Sequence, residues 1–139
     1  MTLDDERNEG MALQTRLDGA TLRRLASEAA AASCGFGFKR GVLFAGSVSL
    51  VHEATPGLTF QVRALDKTPL LRFLVLQEDA GDGWTRVEVT LRDHATVQSR
   101  GPMGIPTDRK RVAGIEIYRR FLNGFASRIR AADPSTTTM

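Results

Sequence analysis

Apolar and polar residues alternate through the middle of the chain, which is the period expected of β-strands. Leu58, Phe60 and Val62 form one apolar face, and the residues between them are polar. Turn-forming residues interrupt the alternation at 55–57, 66–69 and 79–83. The pattern predicts an antiparallel meander with strands at 42–51, 58–64, 70–76 and 84–92, and a short continuation or further strand at 95–99.

A helical period of three to four residues precedes this meander. It covers residues 20–33, which are rich in alanine, follow the N-cap candidate Asp18 and stop at Gly35. Before it, residues 11–17 alternate as a short first strand would. The abundance of alanine predicts a helix that packs closely on a neighbour, because little side-chain volume separates the two.

A second helical period follows the meander and is predicted to run from Thr107 or Asp108 to about Ala131. Its apolar stripe consists of Val112, Ile115, Tyr118, Phe121, Leu122, Phe125 and Ile129. The glycine-rich segments 35–38 and 101–106 match no phosphate-binding pattern and are predicted to be loops.

The length of 139 residues suits one domain with one sizeable core. The first ten residues are polar and mostly acidic, and the last seven contain Pro, Ser and Thr. Neither end has apolar residues to bury, so we predict that 1–10 and 133–139 are disordered and that 11–132 forms the domain.

Several classes of protein are excluded by these features. No apolar run reaches the roughly 18 residues of a membrane-spanning helix. The acidic N-terminus is unlike a signal peptide, and a single cysteine, Cys34, is compatible with a reducing compartment. These observations predict a cytoplasmic protein that needs no disulfide.

The net charge of +3 conceals a basic body, because acidic residues concentrate at the N-terminus. Many cations fall on the predicted second helix, at Arg109, Lys110, Arg111, Arg119, Arg120, Arg128 and Arg130. No aromatic residues alternate with them to stack on bases, so we interpret them as a solvated helix face and predict no nucleic-acid partner.

Two carboxylate–imidazole neighbours, His52–Glu53 and Asp93–His94, are the candidates for general-base or metal chemistry. Adjacent residues on a strand point to opposite faces, and two histidines without cysteine partners fall short of the usual zinc ligand sets. Cys34 lies at the end of the alanine-rich helix, far in sequence from both histidines. We therefore predict no catalytic residue, no metal and no cofactor.

The order of elements resembles the START-like superfamily, also called Bet v 1-like, SRPBCC or the polyketide cyclase and lipid transport fold. It is carried by a short strand, a helix, a meander, a Gly/Pro loop and the long aromatic helix that contains Tyr118-Arg-Arg-Phe-Leu-Asn-Gly-Phe125. The resemblance implies an α+β helix-grip fold, in which a curved antiparallel sheet packs on the C-terminal helix. The space between them would hold a small apolar or amphipathic ligand such as a lipid or polyketide.

The positions that the resemblance assigns to this cavity are the inward faces of the sheet and the helix. They are Phe44, Phe60, Val62, Phe73, Val87, Val89, Tyr118, Phe121, Leu122 and Phe125. The phenol of Tyr118 would orient the ligand, and Arg111 at the helix start would guard the cavity mouth or bind an anionic head group.

Other interpretations stay open at this point. The same apolar residues could fill the core and leave no cavity. The chain would then be a non-catalytic interaction module, with a homodimer formed through the outward Leu70, Leu74 and Leu76. A cyclase-like enzyme would need polar groups inside the cavity that the sequence does not place.

Overall fold

The strand and helix periods form an α+β fold in the computed structural model, which describes residues 7–39, 42–54, 57–94, 96–100 and 106–139. The elements are β1 (Gly10–Thr15), α1 (Gly19–Ser33), β2 (Gly35–Lys39), β3 (Val42–Ala54), β4 (Gly57–Arg63), β5 (Pro69–Gly81), β6 (Trp84–His94), β7 (Thr96–Arg100), β8 (Pro106–Val112), α2 (Ile115–Ala132) and β9 (Thr137–Thr138).

The main sheet is antiparallel and open, with the strand order β2-β3-β4-β5-β6-β1. The two-residue β9 extends it beyond β1, and β7 and β8 form a separate pair. The N-terminal strand therefore lies beside the last strand of the meander, with Gly10 opposite Thr90 and Thr15 opposite Thr85.

The core lies on the face of the sheet that both helices cover. The predicted alternation is confirmed there, since Phe60, Val62, Phe73, Val87 and Val89 are all buried in one cluster. Burial of such side chains stabilises the fold by about 1.5–3 kcal/mol each. The second, C-terminal helix adds Tyr118, Phe121 and Phe125 to this cluster.

The first helix has the predicted boundaries. The Asp18 side chain accepts a hydrogen bond from the Thr21 amide at 2.8 Å and caps the helix. Hydrogen bonds from the side chain of Thr21 and from its amide lower the pKa of the Asp18 carboxyl. Ala26, Ala29 and Ala30 are buried on the face where α1 contacts α2 and β3, which confirms the close packing expected of so many alanines.

The second helix begins later than the sequence predicts, at Ile115 rather than at Thr107 or Asp108. Residues Pro106–Val112 form β8, which pairs with β7 through Thr96 opposite Val112. The glycine-rich start of the meander also differs from the prediction, because residues 35–39 form the edge strand β2 instead of a loop. In both cases the segment forms a strand because it pairs with the neighbouring strand of a hairpin, β2 with β3 and β8 with β7, and this pairing overrides the local signal.

Gly114 forms the turn between β8 and α2. It has a φ of 81°, and a Cβ there would lie 3.2 Å from side-chain atoms of Leu70 and Val62. Gly83, in the turn between β5 and β6, also has a φ of 81° but is surrounded by open space. The two glycines therefore share a left-handed backbone and differ in crowding.

We expect Gly114→Ala to lower the free energy of unfolding by about 2 kcal/mol, as measured by urea titration. The matched control, Gly83→Ala, has only the backbone strain and should lower it by about 1 kcal/mol. Equal losses would show that crowding by Leu70 and Val62 is unimportant.

The end of the chain, which composition predicts to be disordered, is tied to β1 in the structure. The Asp133 carboxylate accepts hydrogen bonds from the Thr15 hydroxyl at 2.8 Å and the Arg16 amide at 2.7 Å. The Ser135 amide also donates to this carboxylate, at 3.1 Å from the Asp133 Oδ1 atom. These polar contacts take the place of the apolar residues that the segment lacks.

Hydrogen bonds from Ser135, Arg16 and Thr15 hold the pKa of Asp133 well below its usual range. A lowered folded-state pKa stabilises the fold above the unfolded pKa of about 3.9, and this contribution fades as the pH falls. We therefore expect wild type to be more stable than Asp133→Asn at pH 7, with a difference that shrinks between about pH 5 and pH 2. Thermal unfolding across this range measures it, with the exposed Glu78→Gln as control. A constant difference would contradict the prediction.

Candidate functional site

The structure brings most of the residues predicted to line a cavity together in the core. They are buried, with an exposed fraction of at most 1%, and comprise Phe60, Val62, Phe73, Val87, Val89, Tyr118, Phe121 and Phe125. Leu122 is half-buried and packs against this cluster. In the structure these residues contact one another. Their role in binding a ligand stays a prediction.

The aromatic rings of the cluster lie within direct packing distance. The centroid of Phe73 is 4.6 Å from that of Phe121, 5.0 Å from that of Tyr118 and 5.4 Å from that of Phe60. Phe121 in turn lies 5.4 Å from Phe125. Such spacings are those of favourable offset and tilted aromatic pairs. The rings therefore occupy space between the middle of the sheet and α2.

Tyr118, the predicted polar group of the cavity, has a partner in the chain. Its hydroxyl donates to the main-chain oxygen of Glu9 at 2.8 Å. Burial raises the pKa of Tyr118, and the negative charge of Glu9 adds to the effect, so the phenol keeps its proton. In the structure the Tyr118 hydroxyl therefore holds the main chain at Glu9 against α2.

The next residue of α2 reinforces the same attachment. The Arg119 guanidinium binds Glu9 through several hydrogen bonds and Glu116 at 2.8 Å. The Glu9 and Arg119 side chains are only about one-fifth exposed, 19% and 20%. Hydrogen bonding to Glu9 raises the pKa of Arg119 above its usual value. Glu9, part of the segment predicted to be disordered, is thus held against α2.

The two remaining predicted site residues lie on strands. Phe44 is on β3, where its backbone pairs with Gly37, and Arg111 is on β8, opposite Val97. The placement of Arg111 at a helix start is therefore wrong. The side chains of Phe44 and Arg111 lie outside the part of the structure that is described.

An open cleft of about 270 Å³ lies where β5 begins and β6 ends. Its apolar wall is formed by Pro69, Leu70 and Leu71. Its polar lining is formed by Gln61, Arg72, Asp93 and His94. Apolar walls with a few polar groups are typical of small-molecule sites, and this volume lies just below their usual range of about 300–1,000 Å³.

Two irregularities of the strand pairing coincide with this cleft. The register between β4 and β5 shifts after Val62, which leaves Leu70 without a direct partner on β4. The register between β5 and β6 shifts between Arg72 and Phe73. Each shift inserts a residue and bends the strand locally, as β-bulges do, so both neighbours of β5 are disturbed at one end.

Gln61 is the most unusual residue of the cleft. It occupies an outward position on β4, opposite Ser49 on β3 and Arg72 on β5, yet only 2% of it is exposed. Within the described part of the chain, its side-chain oxygen has no hydrogen-bond partner. A buried amide oxygen without a partner costs about 1–3 kcal/mol, so the described residues leave a polar group of Gln61 unsatisfied beside the cleft.

His94 lies at the other side of the cleft. Its Nε2 accepts a hydrogen bond from Nε of Arg7 at 3.2 Å. With Nε2 engaged by Arg7, Nδ1 is the ring nitrogen left for a further hydrogen bond.

Asp93 and His94 were predicted not to act together, because neighbours on a strand point to opposite faces. Both line the cleft, which lies where β6 ends. Gln61, Pro69, Leu70 and Arg72 were not predicted as site residues. The alternation marks Gln61 as an ordinary solvent-facing residue, and no local signal distinguishes it.

The remaining candidates give no competing site in the described ranges. No group of three His, Cys, Asp or Glu side chains comes together there as metal ligands. Cys34 packs at the end of α1, where its sulfur lies 3.3 Å from the Ala30 oxygen and accepts from the Val48 amide at 3.3 Å. No helix among the described residues has the length and apolar character to cross a membrane.

Comparison with known proteins gives no match to any family model, curated protein or solved structure.

Proposed function

We propose that this chain is a non-catalytic binding domain for a small amphipathic molecule, which occupies the cleft at the β5–β6 end of the helix-covered sheet. The observation that carries the proposal is Gln61, a nearly buried amide that lines the cleft and whose oxygen lacks a partner among the described residues. The helix-grip architecture implied by the START-like resemblance is compatible with it, with the ligand at the end of the sheet rather than at its centre.

The chemistry of the cleft supports binding. Leu70 and Leu71 offer apolar surface for the body of a ligand, and Gln61 and His94 offer hydrogen bonds that fix its orientation. Arg72 and Asp93 lie opposite each other on neighbouring strands and bring opposite charges to the cleft. None of these groups forms a nucleophile–base pair, so the arrangement favours recognition over reaction.

Native mass spectrometry of the protein purified from its own host tests the proposal, because it reports bound molecules and subunit number together. We expect a stoichiometric adduct of low mass on wild type and on Ser49→Ala, which changes the exposed neighbour of Gln61 on β3. The adduct should be reduced on Gln61→Leu, which keeps the size of the side chain and removes its polar atoms. Equal occupancy on both variants would contradict this site.

A second candidate function is an interaction module that forms a homodimer. It is favoured by apolar residues away from the core, since Leu74 and Leu76 are only half-buried and Leu50 and Val51 are 45% and 39% exposed. Light scattering would then report a dimer that Leu74→Glu dissociates. A monomer at high concentration would remove this alternative.

A further inference from the structure

We infer that the β7–β8 hairpin, residues 96–100 and 106–112, binds double-stranded DNA by contacting its phosphate groups without preference for sequence. No residue of the hairpin lines the cleft in the described structure, so this activity is separate from the proposed function. The place of the hairpin in the fold, its charge and its two-stranded form support DNA binding.

The hairpin forms a sheet of its own. Among the described strands, β7 and β8 pair only with each other, and no other described strand or helix has more than slight contact with either of them. The hairpin joins the core at the end of β8, where Val112 and the following Ala113 are 1% and 3% exposed. The rest of the hairpin therefore does not pack on the main sheet or on the two helices.

The net charge of the protein is concentrated on this hairpin. Its two strands contain four cations and a single acid, namely Arg100, Arg109, Lys110, Arg111 and Asp108. The other charged residues of the chain balance, with fifteen of each sign. So much positive charge on one small element attracts a polyanion.

The cations are distributed over both faces of the hairpin. Lys110 is opposite Gln98, and Arg111 is opposite Val97. Consecutive positions of a strand belong to opposite faces, so Lys110 and Arg111 lie on different faces of the ribbon. A membrane is flat and would meet one face only. The groove of a duplex has phosphates along both walls, so it complements charge on both faces.

The dimensions of a two-stranded ribbon match the major groove of B-form DNA. A sheet with its side chains is about 10 Å thick, and the groove is about 12 Å wide and admits such a ribbon. Residues 106–111 span about 16 Å along β8, a distance over which a duplex carries about ten negative charges. The duplex therefore offers more phosphates than the hairpin has cations.

The residue types of the hairpin favour a duplex over single strands. Neither β7 nor β8 contains Phe, Tyr or Trp to stack on unpaired bases. The lack of such residues led to the prediction of no nucleic-acid partner, and that prediction placed residues 109–111 on a helix, whereas they lie on β8. Phosphate contacts to a duplex need no stacking. Double-stranded RNA is disfavoured because its major groove is deep and narrow.

Fluorescence anisotropy of a labelled DNA duplex of about 20 base pairs, titrated with the full chain, tests the assignment. We expect a Kd on the order of micromolar at about 50 mM NaCl. Binding should be about a hundredfold weaker at about 200 mM, as expected of four phosphate contacts with a logarithmic salt slope of about −0.9 each. A Kd that does not change with salt would overturn binding through phosphates.

The variant Arg109→Gln/Lys110→Gln/Arg111→Gln removes three of the four cations of the hairpin. It should bind the duplex at least about tenfold more weakly at low salt, with a salt slope reduced to that of about one phosphate contact. The ¹⁵N-labelled wild type gives a measurement that does not depend on the folding of the variant. The duplex should shift the amide signals of residues 96–100 and 106–112, and shifts confined to other elements would overturn the hairpin as the site.

The matched control is Arg24→Gln/Lys67→Gln/Arg130→Gln, which has the same net charge as the hairpin variant. It removes three exposed cations, from α1, from the turn between β4 and β5 and from the end of α2. We expect its Kd for the duplex to change by less than about threefold. Equal losses in the two triple variants would overturn the hairpin as the site, because overall charge would then be sufficient.

Two further probes determine the kind of polyanion. A single-stranded oligonucleotide of the same length should bind more weakly than the duplex. Phosphatidylcholine vesicles with about 30% phosphatidylserine should also bind more weakly, compared at equal anionic charge. Equal or tighter binding of either probe would overturn the assignment of a DNA duplex, and so would the absence of duplex binding at low salt.

Discussion

Phe121→Ala is expected to lower the free energy of unfolding by about 3–5 kcal/mol, the largest stability loss among the substitutions considered. Phe121 has no exposed surface and lies 4.6 Å from Phe73 and 5.4 Å from Phe125, measured between ring centroids. Truncation leaves a cavity bounded by rings that cannot all relax into it. Urea unfolding, followed by the fluorescence of the single tryptophan, Trp84, measures the loss.

The same substitution separates a packed core from a ligand cavity. Leu122→Ala changes the neighbouring, half-buried residue of α2 and should lower the free energy of unfolding by about 1–2 kcal/mol. If Phe121 instead lined an open cavity, its truncation would change stability little and would alter uptake of a fluorescent apolar probe. A loss below that of Leu122→Ala would therefore support the cavity predicted from the START-like resemblance.

Arg119→Met should lower the free energy of unfolding by about 3 kcal/mol, the second-largest effect. The substitution keeps an apolar stem and removes the guanidinium that Glu9 and Glu116 share. Both carboxylates then lie near each other, one-fifth exposed, without this charge. Losing a hydrogen-bonded, largely buried cation costs more than losing a surface ion pair, which contributes about 0–1 kcal/mol.

The matched control is Arg24→Met on α1, which removes an exposed ion pair of 3.0 Å with Glu28. We expect a loss below about 1 kcal/mol there. The double variant Glu9→Gln/Arg119→Met should recover part of the stability lost in Arg119→Met, since one uncompensated charge is gone. Additive losses from the two single substitutions would contradict a direct interaction.

Much of the fold could be predicted because each strand or helix shows its buried face in its own residues. Phe60 and Val62 on β4 and Val87 and Val89 on β6 follow the alternation and are buried as predicted. Asp18 and the alanines of α1 likewise carry local signals, namely a capping side chain and a helical period. Local patterns suffice where the neighbouring element only has to cover an apolar face.

The start of α2 could not be predicted in this way. Residues 106–112 contain Val112 at a position compatible with both the helical stripe and a strand. Their pairing with β7 and the left-handed Gly114 decide for a strand and a turn. Arg111 therefore falls on the predicted helix, and the error arises because pairing with the neighbouring strand β7 outweighs the local helical period.

The cleft could not be predicted from the sequence for a related reason. An outward polar residue such as Gln61 normally faces water, and its burial arises where two register shifts meet at one end of β5. The shifts depend on how three strands align rather than on any single segment. Prediction of the site thus required the pairing of β4, β5 and β6 together.

The place of β1 in the sheet also has a consequence for synthesis on the ribosome. Its partner is β6, with Gly10 opposite Thr90, and β9 at the end of the chain adds to its other edge. β1 therefore cannot pair until residues 84–94 have also been made, and contacts so distant in sequence slow folding. The apolar side of α1 likewise lacks its cover until α2 is present, so the early part of the chain is expected to fold only together with the later part.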